Sequence, residues 1–137
     1  MAKRQRDYRP HLEKYERKPG NEIVAVRLDL ETDGFKYEKW GNTQTCKAGD
    51  WIVFNGNSTY TIDAKTFEET YKEAERGLYL KSTPVWATIA LESGKIRTKE
   101  GSTDYKAGDY IVYNDAEGHD GYAMTKKDFD RLYRRAS

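Results

Sequence analysis

Apolar and polar residues alternate along residues 24–30, where Val24, Val26, Leu28 and Leu30 are interleaved with Ala25, Arg27 and Asp29. That period of two predicts a strand with one buried face, and residues 85–91 carry a counterpart. Residues 35–40 and 43–47 flank Gly41-Asn42, a hairpin signal repeated by 95–99 and 102–106 around Glu100-Gly101. Residues 51–54 are apolar without interruption, which predicts a strand buried on both faces in the middle of the structure. The polar run 55–58 reads as a loop returning into the alternating segment 60–62. Helices are expected next. Asp63 can cap the first, and Thr125 with Asp128 forms a capping box for the second. Phe67, Tyr71 and Ala74 make one apolar stripe, as do Phe129, Leu132, Tyr133 and Ala136, with Gly77 as the stop of the first helix.

These elements come in duplicate. Lys47-Ala48-Gly49-Asp50-Trp51-Ile52-Val53-Phe54-Asn55 recurs as Lys106-Ala107-Gly108-Asp109-Tyr110-Ile111-Val112-Tyr113-Asn114, and every difference exchanges one aromatic for another. With three more residues in the second loop, 60–67 aligns with 122–129 and Tyr71 falls on Tyr133. The chain therefore reads as a basic N-terminal arm (1–14), a first repeat unit (15–77) and a second (78–137). Each unit of four to five mainly antiparallel strands and one helix is too small to be robust alone. The expected fold is α+β, with the two tandem copies packed about a pseudo-two-fold axis into one compact body.

Composition adds three constraints. No run approaches the ~18–20 apolar residues of a membrane helix, and the basic start has no apolar stretch behind it to make a secretory signal. A single cysteine, Cys46, excludes an intramolecular disulfide and a four-cysteine zinc site, and suggests a cytoplasmic protein. The net charge of +1 hides basic ends on an acidic body. With 11 tyrosines, 4 phenylalanines and 3 tryptophans among 137 residues, the core must be built largely from rings.

Tyr15-Glu16-Arg17-Lys18-Pro19, the Gly-centred hairpin, Gly49-Asp50-Trp51-Ile52-Val53 and Phe67-Glu68-Glu69-Thr70-Tyr71 together resemble small phage and prophage proteins with a Pro-Gly-Asp-Tyr/Trp-Ile motif, sometimes called PGDYG-like. The likeness covers the first unit and, more weakly, the second. This chain departs from the pattern in carrying Ala48 and Ala107 where those proteins usually have Pro. The resemblance implies a phage origin and a fold, and supplies no activity.

Candidate chemistry lies in four places. Gly49-Asp50 and Gly108-Asp109 read as turn formers, with paired-carboxylate cation binding as the alternative. Asp115, Glu117, His119 and Asp120 cluster in the longer second loop, either as a solvated loop or as a weak catalytic or metal-holding group. Trp51, Phe54, Tyr60, Tyr110, Tyr113 and Tyr122 are candidates for ligand or partner binding, although alternate rings must be core. Lys3, Arg4, Arg6 and Arg9 are the basic groups an arm would lay on a phosphate backbone. Cys46 has no histidine at an activating spacing and reads as a small buried residue. No Gly-rich phosphate loop, Ser elbow, paired-His motif or dinucleotide fingerprint occurs.

The sequence thus points to a non-enzymatic, phage-type accessory or binding protein without cofactor or metal, monomeric or homodimeric. It would recognise a host or phage protein or a small ligand through aromatic surfaces or the groove between repeats. The alternatives are a nucleic-acid-binding protein using the arm and an unusual hydrolase using the acidic loop 115–120.

Overall fold

A computed structural model describes residues 11–136. Mostly antiparallel strands with two short helices make up this α+β chain: β1 (Glu13–Arg17), β2 (Ile23–Arg27), β3 (Phe35–Lys39), β4 (Asn42–Cys46), β5 (Trp51–Phe54), β6 (Thr59–Ile62), α1 (Ala64–Thr70), β7 (Tyr71–Glu75), β8 (Leu78–Lys81), β9 (Val85–Ile89), β10 (Gly94–Arg97), β11 (Ser102–Tyr105), β12 (Tyr110–Tyr113), β13 (Gly121–Met124), α2 (Lys126–Leu132) and β14 (Tyr133–Arg135). One five-stranded sheet has the order β6-β5-β2-β8-β7 and the other β13-β12-β9-β1-β14. Hairpins β3–β4 and β10–β11 stand apart as two-stranded ribbons.

The two sheets share one plan, and the first strand of each sequence unit lies in the other unit's sheet. Tyr15 pairs with Val85 and Arg17 with Tyr133, whereas Tyr79 pairs with Ile23 and Lys81 with Tyr71. Register thus makes Tyr15 and Arg17 the counterparts of Tyr79 and Lys81. The division between residues 77 and 78 is therefore not a boundary between sheets. Gly77, expected to stop a helix, instead sits at φ 81° in the turn joining β7 to β8.

Both helices are shorter than their apolar stripes suggested. Asp63 Oδ2 accepts from the Thr66 N–H at 3.3 Å and Thr125 Oγ1 from the Asp128 N–H at 3.2 Å, so both caps form. After seven residues, however, Tyr71 and Tyr133 turn extended (φ −123° and −126°) and open β7 and β14. Ala74 lies exposed on a strand. Residues 71–76 have good helix formers, but pairing with β8 satisfies the same backbone groups and also closes the sheet, so tertiary structure overrides propensity. Asp128 does not complete a reciprocal box, because its carboxylate accepts from Asn57 Nδ2 at 2.7 Å.

Each helix drops one phenylalanine onto one face of its sheet, and rings fill the rest. Phe67 stacks on Trp51 (centroids 4.2 Å apart) and on Tyr71 (4.8 Å), with Tyr79 edge-on at 5.1 Å. Phe129 stacks on Tyr110 at 3.9 Å and Tyr133 at 5.0 Å, with Tyr15 edge-on at 4.9 Å. Ile23, Ala25 and Val53 complete one core, and Val85, Ala87, Val112 and Leu132 the other. With helices on one side only, β5 is not buried on both faces as its apolar run suggested: Val53 is fully buried and Phe54 is 45% exposed.

The free hairpins cross between the sheets. Thr45 N–H donates to Glu100 O at 2.7 Å and Asp104 N–H to Trp40 O at 3.2 Å, while buried Gln44 donates to Ser102 O at 2.6 Å. Gly101 is required here, since a Cβ on it would come within 2.3 Å of Thr43 O. The β3–β4 turn places Trp40 at φ 53°, a left-handed conformation that is strained for so bulky a residue.

Phe129→Ala should cost ~3–5 kcal/mol by removing the centre of one ring stack. Urea unfolding followed by tyrosine fluorescence checks this, and a loss below ~1 kcal/mol would contradict the packing described.

Candidate functional site

A cavity of about 200 Å³ lies between the two ring cores, with lining residues from both sheets and both crossed hairpins. Cavities of ~150 Å³ admit a molecule the size of benzene, so this one has room for a small metabolite or the head of a larger one. Strand period places its main groups. Tyr15 and Arg17 project from the same face of β1, so the residue that packs on Phe129 also aims Arg17 to the sheet's end, opposite Tyr133. Tyr79 and Lys81 do the same on β8, opposite Tyr71.

Arg17 and Lys81 are both buried, at 8% and 6% exposure. Arg17 Nη1 donates to the hydroxyls of Tyr71 (3.4 Å) and Tyr133 (3.2 Å). Its Nε and Nη2 are buried with no acceptor. Lys81 Nζ donates to Asn114 Oδ1 at 2.7 Å and to the Tyr122 hydroxyl at 3.4 Å. The cations also lie near ring faces, Arg17 5.3 Å from Tyr133 and Lys81 5.6 Å from Tyr122, where the ring quadrupole attracts positive charge.

Burial shapes the titration of these groups. Desolvation, with the neighbouring Arg17 charge, drives Lys81 down to about 8, partly offset by Tyr71 and Asp120. For Arg17 burial again opposes the charge, but the hydroxyls of Tyr133 and Tyr71 outweigh it and the group stays charged. Tyr60 and Tyr122 are pushed far up by burial and remain neutral phenols. Glu100, at the tip of the second hairpin, is raised to about 7 by burial even though it accepts from the Asp63 N–H at 2.7 Å.

Of the six ring candidates, Tyr60 and Tyr122 line the cavity. Trp51 and Tyr110 are core rings stacked on Phe67 and Phe129. Phe54 is exposed beside Val24 on the face of the sheet away from the helix. Tyr113 packs over Gly118 and Gly121, away from the ring stacks. Asp115, Glu117 and His119 bring their ligand atoms within 4.8 Å of one another, but Asp115 spends its carboxylate on the N–H groups of His119 and Asp120 at 2.8–3.0 Å. That is turn chemistry in an exposed loop. Asp120 lines the cavity and accepts from Asn114 Nδ2 at 3.0 Å. Asp50 and Asp109 accept from Lys47 N–H and Lys106 N–H, each at 2.9 Å, closing turns at positive-φ glycines. Cys46 is fully buried, and burial pushes its thiol up. Lys3, Arg4, Arg6 and Arg9 lie outside the described residues.

Sequence reasoning missed Arg17 and Lys81 as a pair, along with Tyr71, Tyr133, Trp40 and Glu100. A signal for the pair exists: Tyr15-x-Arg17 and Tyr79-x-Lys81 each put a cation two residues after a tyrosine, on an inward face. No family model, curated protein or solved structure matches the chain.

Glu100 generates a pH prediction. Its folded pKa of about 7 exceeds the ordinary 4.5, so its contribution to stability is whole below 4.5 and is lost as pH rises through 7. Glu100→Gln should match the native protein at pH 4 and exceed it at pH 8 by roughly 2–3 kcal/mol, allowing for partial exposure. Urea melts of both proteins at the two pH values measure the difference.

Proposed function

We propose that this chain is a non-enzymatic accessory protein that binds a small ligand in the cavity between its two sheets. In this reading it arose by tandem duplication, and the two copies sit about an approximate two-fold axis. Matching strand orders and the equivalence of Tyr15 and Arg17 with Tyr79 and Lys81 support the duplication. A phage or prophage origin rests on the likeness of residues 15–71 alone.

One observation carries the ligand reading: equivalent side chains from both halves converge on one space. Arg17 meets Lys81, Tyr60 meets Tyr122 and Tyr71 meets Tyr133 around it. Tyrosine in these places keeps a polar tip at a wall that phenylalanine would have sealed. Trp40, held in a strained conformation with its ring 5.6 Å from Tyr60, sits on the same wall. Strain of this kind gathers at ligand clamps. Recognition of a partner protein has separate support in Val24, Val26 and Phe54, which are 45–60% exposed on the sheet face away from the helix.

A thermal-shift panel of neutral, cationic and anionic metabolites tests the ligand reading. A ligand at 100 times its Kd adds ~2.7 kcal/mol, worth on the order of 10 °C for a chain of this size. The shift should disappear in Ser58→Trp, which places a large ring at a half-buried position on the cavity wall. The reading fails if no compound raises the melting temperature, or if Ser58→Trp responds as the native chain does.

A further inference from the structure

Donors and acceptors in the wall of the cavity do not balance. Arg17 uses one nitrogen on two tyrosine hydroxyls and leaves Nε and Nη2 buried without an acceptor. Those two nitrogens form the guanidinium edge that grips carboxylates and phosphates bidentately. Lys81 has an amide and a phenol as partners. Tyr71 accepts from Arg17 and so has its own O–H proton to give. Among the described residues no carboxylate forms an ion pair with Arg17 or Lys81, and buried charges are ordinarily paired.

The acids around the cavity do not fill this gap, because each is already engaged. Asp120 accepts from Asn114 and lies 3.7 Å from Lys99. Asp104 lies 3.7 Å from Lys95, Asp128 accepts from Asn57, and Asp109 accepts from the Lys106 N–H. Glu100 accepts from the Asp63 N–H. Arg17 and Lys81 are thus left without an anionic partner, while the acids hold the surrounding loops.

We propose that the cavity is a site for a small oxyanion, a carboxylate or phosphate group held by Arg17 and Lys81 with hydroxyls of the tyrosine ring. The inference rests on the cavity being a ligand site and adds the ligand's charge and the residues that read it. The volume of about 200 Å³ suits an acid or phosphate monoester carrying no more than about one ring. Two cations contributed by corresponding strands would grip the anion from both halves of the chain, and the rings of Tyr60 and Trp40 flank the remaining space.

The test uses the whole chain in low-salt, chloride-free buffer, with calorimetric titration of inorganic phosphate, phenyl phosphate, benzoate and the neutral isostere benzamide. At least one oxyanion should bind, with benzamide at least tenfold weaker; phosphate against benzoate then tells which oxyanion is preferred. Lys81→Met and Arg17→Lys should each weaken that binding at least tenfold while retaining a cooperative melt. Lys81→Met removes a buried charge and is expected to fold, so it carries the test should Arg17→Lys unfold. Equal binding of benzamide and benzoate overturns the oxyanion assignment and leaves the ligand reading standing, as does a panel whose hits are all neutral or cationic. Oxyanion binding unaffected in Lys81→Met also overturns it, because the site would lie elsewhere. If no compound of any charge binds, the ligand reading itself falls.

Discussion

Strand β1 is hydrogen-bonded along one edge to β9 and along the other to β14, whose Tyr133 faces Arg17 across 116 positions of chain. Strand β8 does the same work between β2 and β7. Neither ring core closes without its exchanged strand, since Tyr15 is the edge-on partner of Phe129 and Tyr79 that of Phe67. A unit of about sixty residues buries so little surface that its stability alone is marginal, and here each sheet also lacks a strand until the other unit supplies it. Cooperative folding of the whole chain follows from that exchange, at the cost of long loop closures that slow it.

The same exchange creates the cavity. Arg17 and Lys81 stand at the ends of the exchanged strands, so the pairings that complete the sheets also bring two cations between them. An apolar seam would have joined the cores more simply. Instead the seam holds tyrosine hydroxyls, asparagines and two buried charges, an arrangement whose desolvation is unfavourable unless something polar repays it. The crossed hairpins form the remaining wall, with Trp40 strained on one and Glu100 raised toward neutrality on the other.

Much of this was legible in the residues. The hairpin about Gly41, the Gly49-Asp50 turns, both helix caps and the phenylalanines that enter the cores follow from local rules, because turns and caps depend on a few adjacent side chains. The helix lengths were not legible: Tyr71 and Ala74 fit a helical stripe, and only the presence of β8 makes the extended form better. Of the ring candidates, Tyr60 and Tyr122 reach the cavity, whereas Trp51 and Tyr110 stack within the cores. Period two tells which residues share a face, but not whether that face meets a phenylalanine, a cavity or water.

By itself the sequence determined an α+β chain with ring-built cores and a recurring Gly-Asp-aromatic strand motif, since periodicity, turn chemistry and composition act within or between neighbouring residues. Only the tertiary structure decided which sheet each first strand joins and that Arg17 and Lys81 converge. Tyr15-x-Arg17 and Tyr79-x-Lys81 would look the same if each strand stayed with its own unit. Antiparallel backbone bonding is indifferent to which part of the chain supplies the strand, so the choice falls to the geometry of the connections and the packing of the rings.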